Sequence, residues 1–180
     1  MTFSSPHKLY EYIKIKKLYK KAFPRSERKP FSIIKRMQML GKTDIWYFSD
    51  EKGFLGFATT INSPDVILID YFAVLGKRRG SGNGTKMLKK LIEHYSGCGI
   101  FLEIEIPDER AENYEERVKR KRFYMNAGLS PMNTRAKLFG VDMELMGSGC
   151  QLDFDEYRNF YRDNYSEFAY NNIKKTEEDT

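Results

Sequence analysis

The sequence predicts one mixed α/β domain, and three observations carry that prediction. Segments with apolar residues at three- and four-residue steps alternate along the chain with short β-rich runs, so helices and strands interleave. The stretch from Val66 to Tyr95 reads strand, glycine turn, helix, and another strand follows at 100–106; a strand joined to the next through a helix pairs with it in parallel. The third observation is size. A chain of 180 residues with 41% hydrophobic side chains can bury one core without metal or disulfide staples, and two compact domains would be a squeeze.

Each element follows from its own pattern. Tyr12, Ile15, Leu18, Tyr19 and Ala22 make an amphipathic helix over 7–22, stopped by Pro24. After the polar loop PRSERKP, Phe31, Ile34, Met37 and Leu40 repeat the helical period, and Gly41 stands where a C-cap glycine belongs. The runs IWYFSD and FLGFATTI flank a turn at 50–53 and predict an antiparallel hairpin. Val66 to Val74 is apolar on both faces apart from Asp70, as a strand covered on both sides should be. Met87, Leu88, Leu91, Ile92 and Tyr95 form the stripe of a helix that begins near Gly82. In the strand 100–106, Leu102, Ile104 and Ile106 share one face and Glu103 and Glu105 the other. A charged helix over 112–126 closes at Gly128, and 133–139 with 141–146 suggests a second hairpin around Gly140. Asp153 and Glu156 form a capping box for a last helix that carries Tyr157, Tyr161 and Phe168 on one face. The domain core is expected over 7–168, with the tail 171–180 frayed.

Composition excludes several classes of protein. The longest nearly apolar stretch, Val66 to Gly76, is broken by Asp70 and is too short for a membrane span. The first residues lack a basic segment followed by an apolar one, so a cytoplasmic location is expected. Cys98 and Cys150 are too few and too far apart for a disulfide framework or a cysteine-rich zinc site, and with His7 and His94 the only histidines no metal is expected. The net charge of +6 is a mild pull toward anions.

The most informative segment is KRRGSGNGTK at 77–86, placed between the central strand and a helix. Glycines let main-chain N–H groups approach a ligand, and a helix N-terminus adds free donors, so together they cradle phosphates. A P-loop does not fit the order Gly84, Thr85, Lys86, and a Rossmann fingerprint fails because Thr85 stands where its last glycine should be. What fits is R-x-x-G-x-G, at Arg79, Gly82 and Gly84. Asp70-Tyr-Phe-Ala-Val74 precedes it, and Leu102-Glu-Ile-Glu105 and Phe123-Tyr124-Met-Asn-Ala-Gly128-Leu129 follow. In these four ordered blocks the chain resembles the GNAT acyltransferase superfamily, loosely from Ala22 to about Met146.

The resemblance implies a GNAT-like acyl-CoA N-acyltransferase fold: a central mixed sheet with a splayed parallel strand pair, flanked by helices. It implies acetyl-CoA as co-substrate and an unidentified amine as acceptor. Gly80, Ser81, Gly82, Asn83, Gly84 and Thr85 would hold the pyrophosphate with Arg79 supporting the loop, while Phe72, Ala73 and Val74 would pair with the pantetheine arm. An amine with a pKa near ~10.4 is mostly protonated at neutral pH, so a base must take a proton, and the departing thiolate needs an acid. Tyr124 stands at the position of the family's acid, and Glu103 matches a base used by some members. Glu105, Asp70 and Glu27 are the reserve carboxylates. Two departures stand out: the chain reaches its first helix within a few residues, which predicts loss of the sheet's first edge strand, and Arg117 replaces an asparagine that many members use for pantetheine.

The reading that follows is an N-acetyltransferase acting by direct attack of a primary amine in a ternary complex. An acyl-CoA-binding regulatory module without turnover is the alternative. A nucleic-acid-binding domain built on RVKRKR at 117–122 ranks third, since such a run is more often a solvated helix face. The aromatic stripe of the last helix suits either a core or a homodimer contact. Acceptor identity and acyl length are not readable from the residues.

Overall fold

The computed structural model describes residues 1–176. It divides into two compact units, the first made of Met1–Asn62 with Ile69–Met87 and the second of Ser63–Leu68 with the chain from Leu88 onward. The boundary passes inside one strand, Val66–Val74, and inside one helix, Asn83–His94.

In the first unit, strand β1 (Thr2–Ser4) leads to helix α1 (Leu9–Ala22), a 3-10 turn at Arg25–Glu27 and helix α2 (Phe31–Met39). Strands β2 (Thr43–Asp50), β3 (Gly53–Asn62) and the later part of β4 (Val66–Val74) complete it, in the order β1-β2-β3-β4. The expected loss of the first edge strand is corrected here: Phe3 pairs with Phe48, and its ring lies 5.3 Å from that of Phe48 and 5.0 Å from that of Trp46. Three residues offered too little periodicity to be read as a strand, and aromatic packing on the neighbour fixes them. Ile15, Leu18 and Tyr19 of α1 and Ile34 of α2 pack with Ile45, Phe54, Phe57 and Tyr71 of the strands in one apolar cluster.

A bulge sets the centre of this unit. Phe48 faces Gly56 but Ser49 faces Phe54, so Leu55 is the extra residue of β3, and its carbonyl accepts from the N–H of Leu75 at 2.8 Å. Gly56 is needed next to it. A Cβ there would stand 2.2 Å from the Ala73 carbonyl oxygen and 2.8 Å from Cε of Met87.

The second unit holds the start of β4, the rest of helix α3 (Asn83–His94), strand β5 (Gly99–Glu105) and helix α4 (Tyr114–Asn126). Strands β6 (Ser130–Leu138) and β7 (Val141–Ser148), helices α5 (Phe154–Asn164) and α6 (Glu167–Asn171) and strand β8 (Ile173–Lys174) follow, with strand order β4-β5-β7-β6-β8. The expected parallel pair is present: Val66, Ile67 and Leu68 align with Gly99, Ile100 and Phe101, and among the described residues the ladder goes no further although both strands do. Gly128, at φ +107, ends α4 as the sequence predicts, with the N–H of Leu129 reaching back to the Tyr124 carbonyl at 3.2 Å.

Two further expectations meet a different outcome. The last helix breaks after Asn164, because Ser166 caps a new one by accepting from the N–H of Ala169 at 3.1 Å; Phe168 therefore leaves the stripe and is 71% exposed. Where fraying was expected, Ile173 is buried and pairs with Leu138, while 177–180 lie outside the described residues. No helix among the described residues is long and apolar enough to cross a membrane.

Replacing Gly56 by alanine forces the Ala73 carbonyl or the Met87 side chain to move, and should destabilise the fold by about 1–3 kcal/mol. Urea unfolding checks it; an unchanged midpoint would mean that β3 and β4 do not need this close approach.

Candidate active site

In the first unit, β4 gives way to a 3-10 turn at Gly76–Arg78 and then to the glycine loop. Gly80 and Gly82 sit at φ +80 and +74, a region that favours glycine, and they turn the chain into α3. The loop is tied at both ends. Arg79 donates from Nε to the Val74 carbonyl at 3.1 Å, and Asn83 donates from Nδ2 to the Arg78 carbonyl and to Ser81 Oγ, each at 2.9 Å. Arg78 itself is ion-paired with Asp50 of the hairpin turn. Among the described residues no acceptor meets the main-chain N–H groups of Gly80 to Thr85, whereas the next one, of Lys86, bonds to the Gly82 carbonyl at 3.1 Å. A row of unpaired donors at a helix N-terminus is an anion-binding arrangement. Phe72, Ala73 and Val74 lie just before it, in the part of β4 that has left the β5 ladder.

Of the reserve carboxylates in this unit, Asp70 is committed elsewhere. Asp70 holds Lys29 Nζ with both oxygens at 2.7 Å, so an amine would have to displace that ammonium to reach it. Glu27 is exposed, and its carbonyl accepts from the Tyr71 phenol at 2.8 Å. Tyr19 also donates, to the Lys29 carbonyl at 3.0 Å. The loop PRSERKP is therefore pinned by Tyr19, Tyr71 and Asp70. Burial first, then the Asp70 charge, drives the Tyr71 phenol far above the ordinary range, and burial does the same more mildly for Tyr19.

In the second unit Glu103 projects toward α5. The phenols of Tyr157 and Tyr161 both donate to its Oε1, at 2.7 and 2.6 Å. Two such donors fix one carboxylate oxygen and stabilise the charged form. Burial first, and then the Glu103 charge, lifts the Tyr157 phenol well above its usual range. The α5 stripe, with Tyr157, Phe160 and Tyr161 all buried, is core rather than a subunit surface. Glu105 is bound to Arg117 at 3.4 Å and Arg120 at 3.3 Å, and Lys121 pairs with Glu144 at 2.6 Å. Three of the five cations in 117–122 are thus used internally, which removes much of the basis for a nucleic-acid surface.

Tyr124 is half-buried on α4, its ring 5.0 Å from that of Phe123. Its hydroxyl has no hydrogen-bond partner among the described residues, and desolvation raises the phenol above its ordinary range, with Arg120 pulling weakly the other way. It therefore stays protonated at neutral pH and is available as a donor. Sequence reasoning missed Lys29, Tyr157 and Tyr161. Asp70, alone in an apolar strand, signalled that some cation must meet it, but nothing in the spacing linked α5 to Glu103. No cluster of three or more His, Cys, Asp or Glu suited to a metal occurs among the described residues.

The family model for the acetyltransferase (GNAT) family matches residues 12–118, more than half of the chain, and the chain belongs to that family of acyl-transferring enzymes. Glu103 and the glycine loop lie inside the match and Tyr124 beyond its end. A GNAT-family protein from Bacteroides thetaiotaomicron shares the fold at TM-score 0.77 and 20% identity, over 94% of this chain and 98% of that one. An aminoglycoside 6'-N-acetyltransferase solved with coenzyme A superposes at TM-score 0.62 with 15% identity, over 82% of this chain and 96% of its own. The spermidine N-acetyltransferase of Vibrio cholerae, in complex with CoA and spermine, does so at 0.64 and 11%, over 82% and 94%. None of the curated proteins matches the sequence.

The raised phenols have a pH consequence. A tyrosine whose folded pKa lies above its unfolded value contributes stability that is complete below about pH 10 and is lost as pH rises further, because the unfolded chain releases the proton first. Unfolding midpoints should fall steadily above about pH 10. Tyr157→Phe should lose about 1 kcal/mol at neutral pH and flatten that alkaline slope; an unchanged slope would mean that the phenol is not held by burial and Glu103.

Proposed function

We propose that this chain is an acetyl-CoA-dependent N-acetyltransferase that acts by direct attack of a primary amine in a ternary complex. The observation that carries the proposal is the row of main-chain donors at Gly80 to Thr85, unpaired among the described residues, after the part of β4 that lies beyond its ladder with β5, in a chain of this family. These residues suit the anionic end of the co-substrate: the cradle offers N–H donors, and Arg79, bound to the Val74 carbonyl, holds its shape. Phe72 to Val74 present main-chain groups to an amide-bearing arm, as an added strand would meet them. When bound, acetyl-CoA supplies the activated acyl carbon and a thiolate leaving group.

The protein's own residues then handle protons. Glu103 takes one from the acceptor amine, directly or through water, with Tyr157 and Tyr161 holding the carboxylate in place. A C–N bond forms, the C–S bond breaks, and Tyr124 gives its proton to sulfur. Its raised pKa keeps that proton on the phenol through the neutral range. The solved relatives with aminoglycoside and spermine chemistry make those amines the first acceptors to test.

Release of thiol from acetyl-CoA in the presence of an amine panel tests the reading. Tyr124→Phe and Glu103→Gln should each lower turnover by about 100-fold or more. Coenzyme affinity should stay within about twofold of wild type. The wild-type rate should hold up to at least about pH 10 on its alkaline side, since the acid titrates above that value. Undiminished turnover in Tyr124→Phe would remove it from the acid role.

A further inference from the structure

We propose that the first unit carries a second anion site, apart from the glycine loop, that takes a small polyphosphorylated molecule. The site is an open cavity of about 360 Å³ between α1, the β2–β3 turn and the segment after β4. Lys14, Lys17 and Lys21, three and four residues apart, share one face of α1 and line it, together with Lys52 of the turn and Lys77 after β4. Five lysines from three separate elements thus line one space.

Among the described residues none of the five has a carboxylate within 4.0 Å, and Lys14 instead lies 5.0 Å from the Tyr10 ring centroid. Asp50, at the end of β2, is taken up by Arg78 and by the N–H of Lys52, and Glu51 of the turn lies within 4.0 Å of none of the five among the described residues. Like charges gathered around one space repel one another, and an anion that enters it relieves the repulsion.

Shape and chemistry define the anion. The cavity lies at the small end of the usual range for ligand sites, about 300–1,000 Å³, so it suits a small molecule rather than a nucleic-acid strand. Ammonium groups act as point charges toward phosphate, and five of them match several phosphate charges better than one carboxylate. Leu18, Phe54 and Leu75 form an apolar floor that can take a base or another flat group. The site is not the coenzyme cradle. None of residues 79–85 lines it, and the two arginines of the glycine loop are directed to Asp50 and to the Val74 carbonyl.

Calorimetric titration of the full chain with inorganic tripolyphosphate and with ATP, each with and without saturating CoA, tests the proposal. Both probes should bind with CoA present, and the double variant Lys17→Glu, Lys21→Glu should weaken them by about tenfold or more while leaving CoA affinity unchanged. Those lysines are exposed, so the variant should keep its fold, which circular dichroism verifies. Tighter binding of ATP than of tripolyphosphate would assign a nucleotide, with its base on the apolar floor; equal binding would assign the phosphate chain alone. Displacement by CoA, indifference to the double variant, absence of binding, or stronger binding of poly-glutamate than of either probe would each overturn the proposal.

Discussion

The Arg79 side chain, donating to the carbonyl of Val74 at 3.1 Å, closes the turn by which β4 becomes α3. Much else in the first unit is arranged around that turn. Gly80 and Gly82 give it the positive φ it needs, Asn83 ties its far side to the Arg78 carbonyl, and Asp50 anchors Arg78 from the neighbouring hairpin. Gly56 lets β3 press against the Ala73 carbonyl just before it. The result is a braced frame around main-chain donors that have no partner among the described residues. Leaving such donors open has a cost in isolation, and a ligand that fills them recovers it.

The second unit solves a different problem, that of holding carboxylates on an inner strand. Glu103 and Glu105 are two residues apart on one face of β5, yet their surroundings separate them. Tyr157 and Tyr161 hold Glu103 with neutral donors, whereas Arg117 and Arg120 neutralise Glu105 with charge. In the proposed reaction this contrast, rather than strand position, sets Glu103 ahead of Glu105 as the base. It also accounts for Arg117 at a site where the family often has asparagine: here it reaches the Ile106 carbonyl at 3.0 Å as well as Glu105.

Much of the architecture was legible because local signals agreed with one another. The helical stripes of α1 and α3, the turn at 50–53, Gly128 at the end of α4 and the Asp153 capping box each state their geometry in a few adjacent residues. The glycine loop was legible for the same reason. What escaped was set by contacts distant in sequence. β1 is three residues held by Phe48 and Trp46, more than 40 positions away, and Ser166 breaks the last helix where periodicity alone ran on. Lys29 on Asp70 and the α5 tyrosines on Glu103 are likewise long-range pairings, which a single sequence does not encode as spacing. Lys14, Lys17 and Lys21 are likewise far in the chain from Lys52 and Lys77, and three separate elements bring the five to one cavity.

The central claim is that the glycine loop holds the anionic end of an acyl-coenzyme A. The most direct measurement is a calorimetric titration of acetyl-CoA into the wild-type protein and into Gly84→Glu, which places bulk and negative charge in the cradle. Micromolar or tighter binding that disappears in the variant is the predicted result. A folded wild-type protein that fails to bind acetyl-CoA, or a variant that binds it as well as wild type, would contradict the account.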